Sequence, residues 1–77
     1  MTAEELGRTL TGMYHSAKKR EAMTMIHLFG VKYANEIRDC GMSVTEVVRL
    51  SGLRENLSRE VYKGIKLADY VIPRNER

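Results

Sequence analysis

An all-α fold, a compact domain of three to five helices, is what this sequence predicts, and three observations predict it. Apolar residues recur at three- and four-residue intervals through most of the chain, the period of a helix face rather than of a strand. Ser/Thr-x-x-Glu patterns stand where two such stripes begin, at Thr2–Glu5 and Ser43–Glu46. There a hydroxyl and a carboxylate can satisfy backbone N–H groups that a helix start leaves open. Glycine or proline stands where stripes stop, at Gly41, Gly52 and Pro73.

A chain of 77 residues predicts a single domain over 1–77. A domain of this size buries only about 60% of its unfolded surface, so pairing with another copy is expected to help it. Its 43% hydrophobic and 30% charged residues are an ordinary globular balance. With no Trp and one Phe, the core must rest on Leu, Ile, Val, Met and Tyr. The net charge of +3, from 13 basic and 10 acidic residues, permits a polyanionic partner without demanding one. The single Cys40 makes no internal disulfide, which points to a reducing compartment and rules out a zinc site built on several cysteines. No apolar run approaches the ~20 residues that cross a bilayer. The opening MTAEELGRTL carries carboxylates before any apolar block, unlike a signal peptide. A cytoplasmic protein without a membrane partner is expected.

The first helix is expected over Thr2 to Ala17, with Leu6, Leu10, Met13, Tyr14 and Ala17 as its apolar stripe. Gly7 and Gly12 each lower its helical propensity by ~1 kcal/mol relative to Ala, so tertiary packing must support it. Lys18-Lys19-Arg20 interrupts the stripe. A solvated turn or helix end is favoured there over a phosphate-contacting cluster, because three cations fall short of the longer basic runs that signal such contacts. From Glu21 to Cys40, the residues Ala22, Met25, Ile26, Phe29, Tyr33, Ala34 and Ile37 share one helical face. Gly30 either lets a neighbour approach a continuous helix or divides it; the unbroken phase suits one continuous or gently kinked helix. Gly41 is the expected stop. His15 and His27 have no second ligand at metal-site spacing and are expected at the surface or in hydrogen bonds. Met13, Met23, Met25 and Met42 are expected to fill gaps in the core.

The segment 43–71 organises the rest. Ser43 is placed to cap a helix carrying Val44, Val47, Val48 and Leu50. The valines suggest a strand, but the adjacency of Val47 and Val48 defeats strict alternation. Ser51-Gly52 ends this helix, and Leu53 offers an apolar contact past the turn. Asn56 is the expected cap of the last helix, with Leu57, Val61, Ile65, Ala68 and Val71 as its buried stripe. The Ile72-Pro73 step stops it, leaving a polar tail over 72–77. A short helix, a glycine turn and a longer basic helix make a helix-turn-helix on a tri-helical core. In that motif the second helix lies in the major groove of duplex DNA and its first residues meet base edges. Asn56, Ser58, Arg59, Tyr62, Lys63 and Lys66 are the expected DNA-binding face. Arg59 suits guanine or phosphate, while Lys63 and Lys66 suit phosphate. Glu55 and Glu60 stand beside that face and would repel phosphate.

The stretch Val47-Val48-Arg49-Leu50-Ser51-Gly52-Leu53 resembles the Ile-Ala-x-x-x-Gly-Val core of bacterial helix-turn-helix proteins, with the glycine in step. Met25 to Ala34 likewise resembles small bacterial proteins described as helix-turn-helix-like domains. The resemblance implies that Gly52 shapes the turn and does not touch DNA. Two positions depart from the pattern: Val48 stands where Ala is usual, and Ser58 where Val or Ile is usual. A longer turn, with the helix starting near Asn56, would account for the second. The expected function is DNA binding by a small transcriptional regulator, acting as a homodimer with the apolar N-terminal helix as its candidate face. The alternative is a protein-interaction module on the same scaffold. No nucleophile–base pair, phosphate-cradling loop or ligand set argues for an enzyme, a cofactor, a metal or a small-molecule ligand.

Overall fold

The structure, a computed structural model, describes residues 1–74. Five α-helices follow one another: α1 (Ala3–His15), α2 (Ala22–Lys32), α3 (Ala34–Asp39), α4 (Val44–Ser51) and α5 (Ser58–Leu67), with a 3-10 turn at Glu55–Leu57 before the last. The described residues contain no strand. The fold is all-α, as the periodicity predicts.

α1 begins with the expected reciprocal cap. The Glu5 N–H donates to Thr2 Oγ1 at 3.1 Å, and the Thr2 N–H donates to Glu5 Oε1 at 2.8 Å. That second bond favours the ionised carboxylate and holds the Glu5 pKa below its ordinary value. The helix ends at His15, two residues short of Ala17, and Ser16 turns its hydroxyl back onto the Gly12 carbonyl at 2.7 Å.

The segment from Glu21 to Cys40, expected as one continuous or gently kinked helix, forms two helices with a break at one residue. The helix runs through Gly30, and the interruption falls at Tyr33, whose φ of −115° and ψ of 21° leave helical space. Hydrogen bonds bridge the break: the Tyr33 N–H reaches Phe29 O at 3.0 Å and the Ile37 N–H reaches Tyr33 O at 2.8 Å. Ile37, beyond the break, stays in the core. Gly41 follows at φ 84°, the left-handed stop expected of it.

Leu6, Leu10, Ile26, Phe29, Val47, Val48 and Val61 are fully buried, drawn from four of the helices. Burial of each such side chain is worth about 1.5–3 kcal/mol. Leu6 and Leu10 spend their face inside the domain, so the apolar stripe of α1 is not free to serve as the dimer face expected of it. Met23, Met42 and Leu50 are also more exposed than their apolar character suggests.

The helices pack as two pairs, α1 on α4 and α2 on α5. Thr11 Oγ1 donates to Ser51 O at 2.6 Å across the first pair. The second pair meets at two glycines. A Cβ on Gly30 would lie 2.4 Å from Val61 O, and one on Gly64 would lie 2.1 Å from His27 O. No side-chain carbon fits at either point, so the backbones touch directly.

α5 is shorter than expected at both ends. It starts at Ser58 with no side-chain cap, so Asn56 is an exposed residue of the 3-10 turn and not the cap. It ends at Leu67. Beyond it the Asp69 and Tyr70 N–H groups bond three residues back, to Lys66 O at 3.3 Å and Leu67 O at 2.8 Å. This tighter winding throws the stripe out of phase. Val71, expected in the core, is 45% exposed and Ile72 is 92% exposed. Residues 75–77 of the expected polar tail lie outside the described residues.

Candidate nucleic-acid interface

The site is built from α4, the turn after it and α5. Ser43 Oγ accepts the Glu46 N–H at 3.1 Å, which fixes the start of α4. The reciprocal half of the expected capping box is not made, because the Glu46 carboxylate is taken by Arg49 Nη1 at 2.5 Å. α4 ends at Gly52, at φ 80°, with its N–H bonded to Arg49 O at 3.1 Å. Among the described residues nothing lies within 4 Å of where a Gly52 Cβ would be, so glycine is needed here for its backbone angle and not for room.

Side chains then hold the turn. Ser51 Oγ donates to Val48 O at 2.5 Å and accepts the Leu53 N–H at 3.1 Å. Leu53 is half-buried against the core, the contact expected past a glycine stop. Arg49 also reaches Glu55 Oε2 at 2.8 Å, so one guanidinium spans from α4 to the 3-10 turn. The Glu55 hydrogen bond is the main reason the Arg49 pKa is raised. The charge of Glu55 is thus answered within the motif.

α5 presents two unlike sides. Its inner side is Val61 and Gly64, with Ile65 half-buried behind them. Its outer side carries Arg59, Tyr62, Lys63 and Lys66, all exposed. Arg59 and Lys66 pair with no carboxylate among the described residues, and Lys63 makes one long contact with Glu60 at 3.3 Å. Tyr62, 51% exposed, stands between the cations. Asn56 is exposed just before them. Ser58 is a correction: it is only 9% exposed and gives its hydroxyl to the Glu55 carbonyl, so it closes the turn and does not stand on the outer face.

Glu60 is also not where the sequence suggests. It turns inward to α2, where His27 Nε2 lies 2.7 Å from its Oε1. The His27 hydrogen bond is the largest cause of its lowered pKa. The carboxylate is therefore ionised and lies between His27 on α2 and Lys63 Nζ, 3.3 Å away on the outer side, and His27 is hydrogen-bonded, as expected. Sequence reasoning missed Arg54 and Gly64. Arg54 is an exposed cation that pairs with no carboxylate among the described residues, placed at the turn itself. Its signal was a basic residue two positions after the turn glycine. Gly64 sits inside the buried stripe, where a glycine in step with apolar residues marks a close approach.

A capped helix, a left-handed glycine and a second helix with a basic outer side stand within a chain that matches, over residues 2–74, a family described as an HTH-like domain. The chain belongs to it. No curated protein and no solved structure matches the chain. The match runs from the cap of α1 to the segment past α5. Among the described residues no helix is long and apolar enough to cross a membrane, and no group of three His, Cys, Asp or Glu is placed to hold a metal.

Proposed function

We propose that this HTH-like domain binds duplex DNA through the outer side of α5, as a small transcriptional regulator. The observation that carries the reading is the composition of that side: Arg59, Tyr62, Lys63 and Lys66 are exposed together, while both nearby carboxylates, Glu55 and Glu60, are engaged by Arg49 and His27. In this reading Asn56 and Arg59, at the entry of α5, face base edges, and Lys63 and Lys66 take phosphates further along. Ser58 has no direct part. A single domain offers one such helix, so reading two half-sites requires a second copy.

The test is fluorescence anisotropy of a labelled random-sequence duplex titrated with the protein at low and at moderate salt. The expected result is binding that weakens steeply with salt, and that weakens further when Arg59, Lys63 and Lys66 are changed together to Ala. An absence of binding at low salt would overturn the reading, since it would remove the electrostatic affinity that DNA readers share.

A second reading, a protein-interaction module, is favoured by one specific feature. A cleft of about 490 Å³ opens where the start of α1, the end of α3 and α4 meet. Met1, Met42 and Leu50 line it while 50%, 50% and 41% exposed, and Glu4, Asp39 and Glu46 also border it. Apolar floor and acidic border suit a basic, apolar peptide segment and repel phosphate.

A further inference from the structure

The Lys18-Lys19-Arg20 segment between α1 and α2 lies outside the interface on α5 and has no part in it. A helix end would explain it through the dipole, but α1 stops at His15, and the cations stand beyond the last turn. They lie on a tight turn of their own. The Glu21 N–H bonds Lys18 O at 2.9 Å, and Arg20 is the one non-glycine residue at positive φ, 69°, among the described residues. Such a conformation is uncommon for arginine and costs of order 1 kcal/mol or more, so the surrounding fold enforces it. All three side chains are exposed, and none is in an ion pair among the described residues. Glu21, the carboxylate at the turn, leaves it with three cations against one anion.

The fold sets this turn on the α5 side of the molecule. His27 meets Glu60 and Gly64, Gly30 meets Val61, Gly64 and Ile65, and Val31 to Arg38 line a cleft with Ile65 to Pro73. Later residues of α2 meet later residues of α5, so the two helices pass in the same sense. The start of α2 therefore lies on the side where α5 starts. Ala22 is about 7.5 Å along the helix axis from His27, at 1.5 Å per residue. The basic turn is next to it, near the end of α5 that the DNA reading places at the base edges. Phosphates advance about 3.4 Å per nucleotide along one strand. The start of α2 is thus offset along its own axis from the level of the His27–Glu60 contact by the rise of roughly two nucleotides.

We infer that Lys18, Lys19 and Arg20 form a second phosphate-contacting site, which grips the duplex backbone flanking the segment read by α5. This rests on the DNA-binding reading of α5. The turn supplies affinity and orientation, and sequence preference stays with Asn56 and Arg59, because phosphate contacts carry no base information.

The test is the salt dependence of duplex affinity for the full chain, compared with a variant carrying Lys18→Ala, Lys19→Ala and Arg20→Ala. A charge-conserving variant, Lys18→Arg, Lys19→Arg and Arg20→Lys, serves as control. The slope of log K against log salt is expected to fall by about 0.9 for each phosphate no longer neutralised, and by no more than about 2.7 for all three. The ranking of different duplex sequences should stay as it was, and the charge-conserving variant should keep the original slope. Circular dichroism and the thermal midpoint report whether the alanine variant is folded. If the original chain binds duplex and the alanine variant shows the same slope, the second site is overturned while the α5 reading survives. If a change of slope fails to be rescued by the charge-conserving variant, the loop acts through its shape and the phosphate assignment also falls. A chain that binds no duplex at low salt overturns both readings together.

Discussion

The two helix pairs of this HTH-like domain are held by different means. α1 and α4 pack mainly through side chains, with Leu6, Leu10, Val47 and Val48 fully buried. α2 and α5 meet backbone to backbone, at Gly30 and Gly64. Gly7 shows that the first pair is also close, but less so. A Cβ there would stand 3.0 Å from Ser51 N and 3.1 Å from Leu50 C, against 2.4 Å at Gly30 and 2.1 Å at Gly64. Interdigitated side chains can shift by tenths of an ångström, whereas two touching helix backbones can only separate. The helix proposed to read DNA is thus set on its support by the less forgiving contact. Its height above α2 is defined by the absence of two side chains.

The largest effect expected from this contrast comes from Gly64→Ala, with Gly30→Ala close behind. Each forces a carbon into backbone atoms, so the loss should reach or exceed the upper end of the ~1–3 kcal/mol typical of overpacking. For a domain of this size that lowers the thermal midpoint by on the order of 10 °C or more, and DNA affinity should fall with it. A thermal scan decides. Unchanged midpoints would show that the two backbones do not touch.

An intermediate effect is expected from the other link between α2 and α5. Glu60 has a lowered pKa, chiefly through the hydrogen bond with His27, and so stabilises the fold above the ordinary carboxylate value of 4.5. That contribution disappears as pH falls through the depressed folded value, because the unfolded chain takes up the proton first. Glu60→Gln should remove this part of the acid limb while Glu5, shifted in the same direction by the Thr2 N–H, still contributes its own. Midpoints measured across the acid range test this. Parallel curves for the two proteins would show that Glu60 titrates normally.

The smallest effects belong to α1. Gly12→Ala adds a carbon with nothing within 4 Å, and should raise stability by up to ~1 kcal/mol through helix propensity alone. Gly7→Ala gains the same propensity but presses on Ser51 and Leu50, so its net change should be negative relative to Gly12→Ala and much smaller than that of Gly64→Ala. Denaturant melts of the three variants order the contacts. A Gly7→Ala loss equal to that of Gly64→Ala would erase the difference between the pairs.

Much of this architecture is legible in the residues because it depends on neighbours in the chain. The caps at Thr2 and Ser43 act over three residues. Gly41 and Gly52 take left-handed angles that other residues resist. The stripes that bury Leu6, Leu10, Ile26, Phe29, Val47 and Val61 follow from helical period. The outer side of α5 is legible on the same ground, since residues opposite a buried stripe face outward.

The remainder is set partly by local winding that caps and stripes do not announce and partly by long-range contacts. The interruption at Tyr33 has neither glycine nor proline to announce it. Ser58 sinks because its hydroxyl closes the 3-10 turn onto the Glu55 carbonyl, and the Glu60 carboxylate is shared between Lys63 and His27, 33 residues earlier. Val71 leaves the core because the winding tightens after Leu67. Local rules dictate where helices start and which side is apolar, since hydrogen bonds and periodicity act within a few residues. How closely two helices approach, and which charge a neighbour neutralises, depend on atoms brought together from distant positions. Those were decided by folding alone.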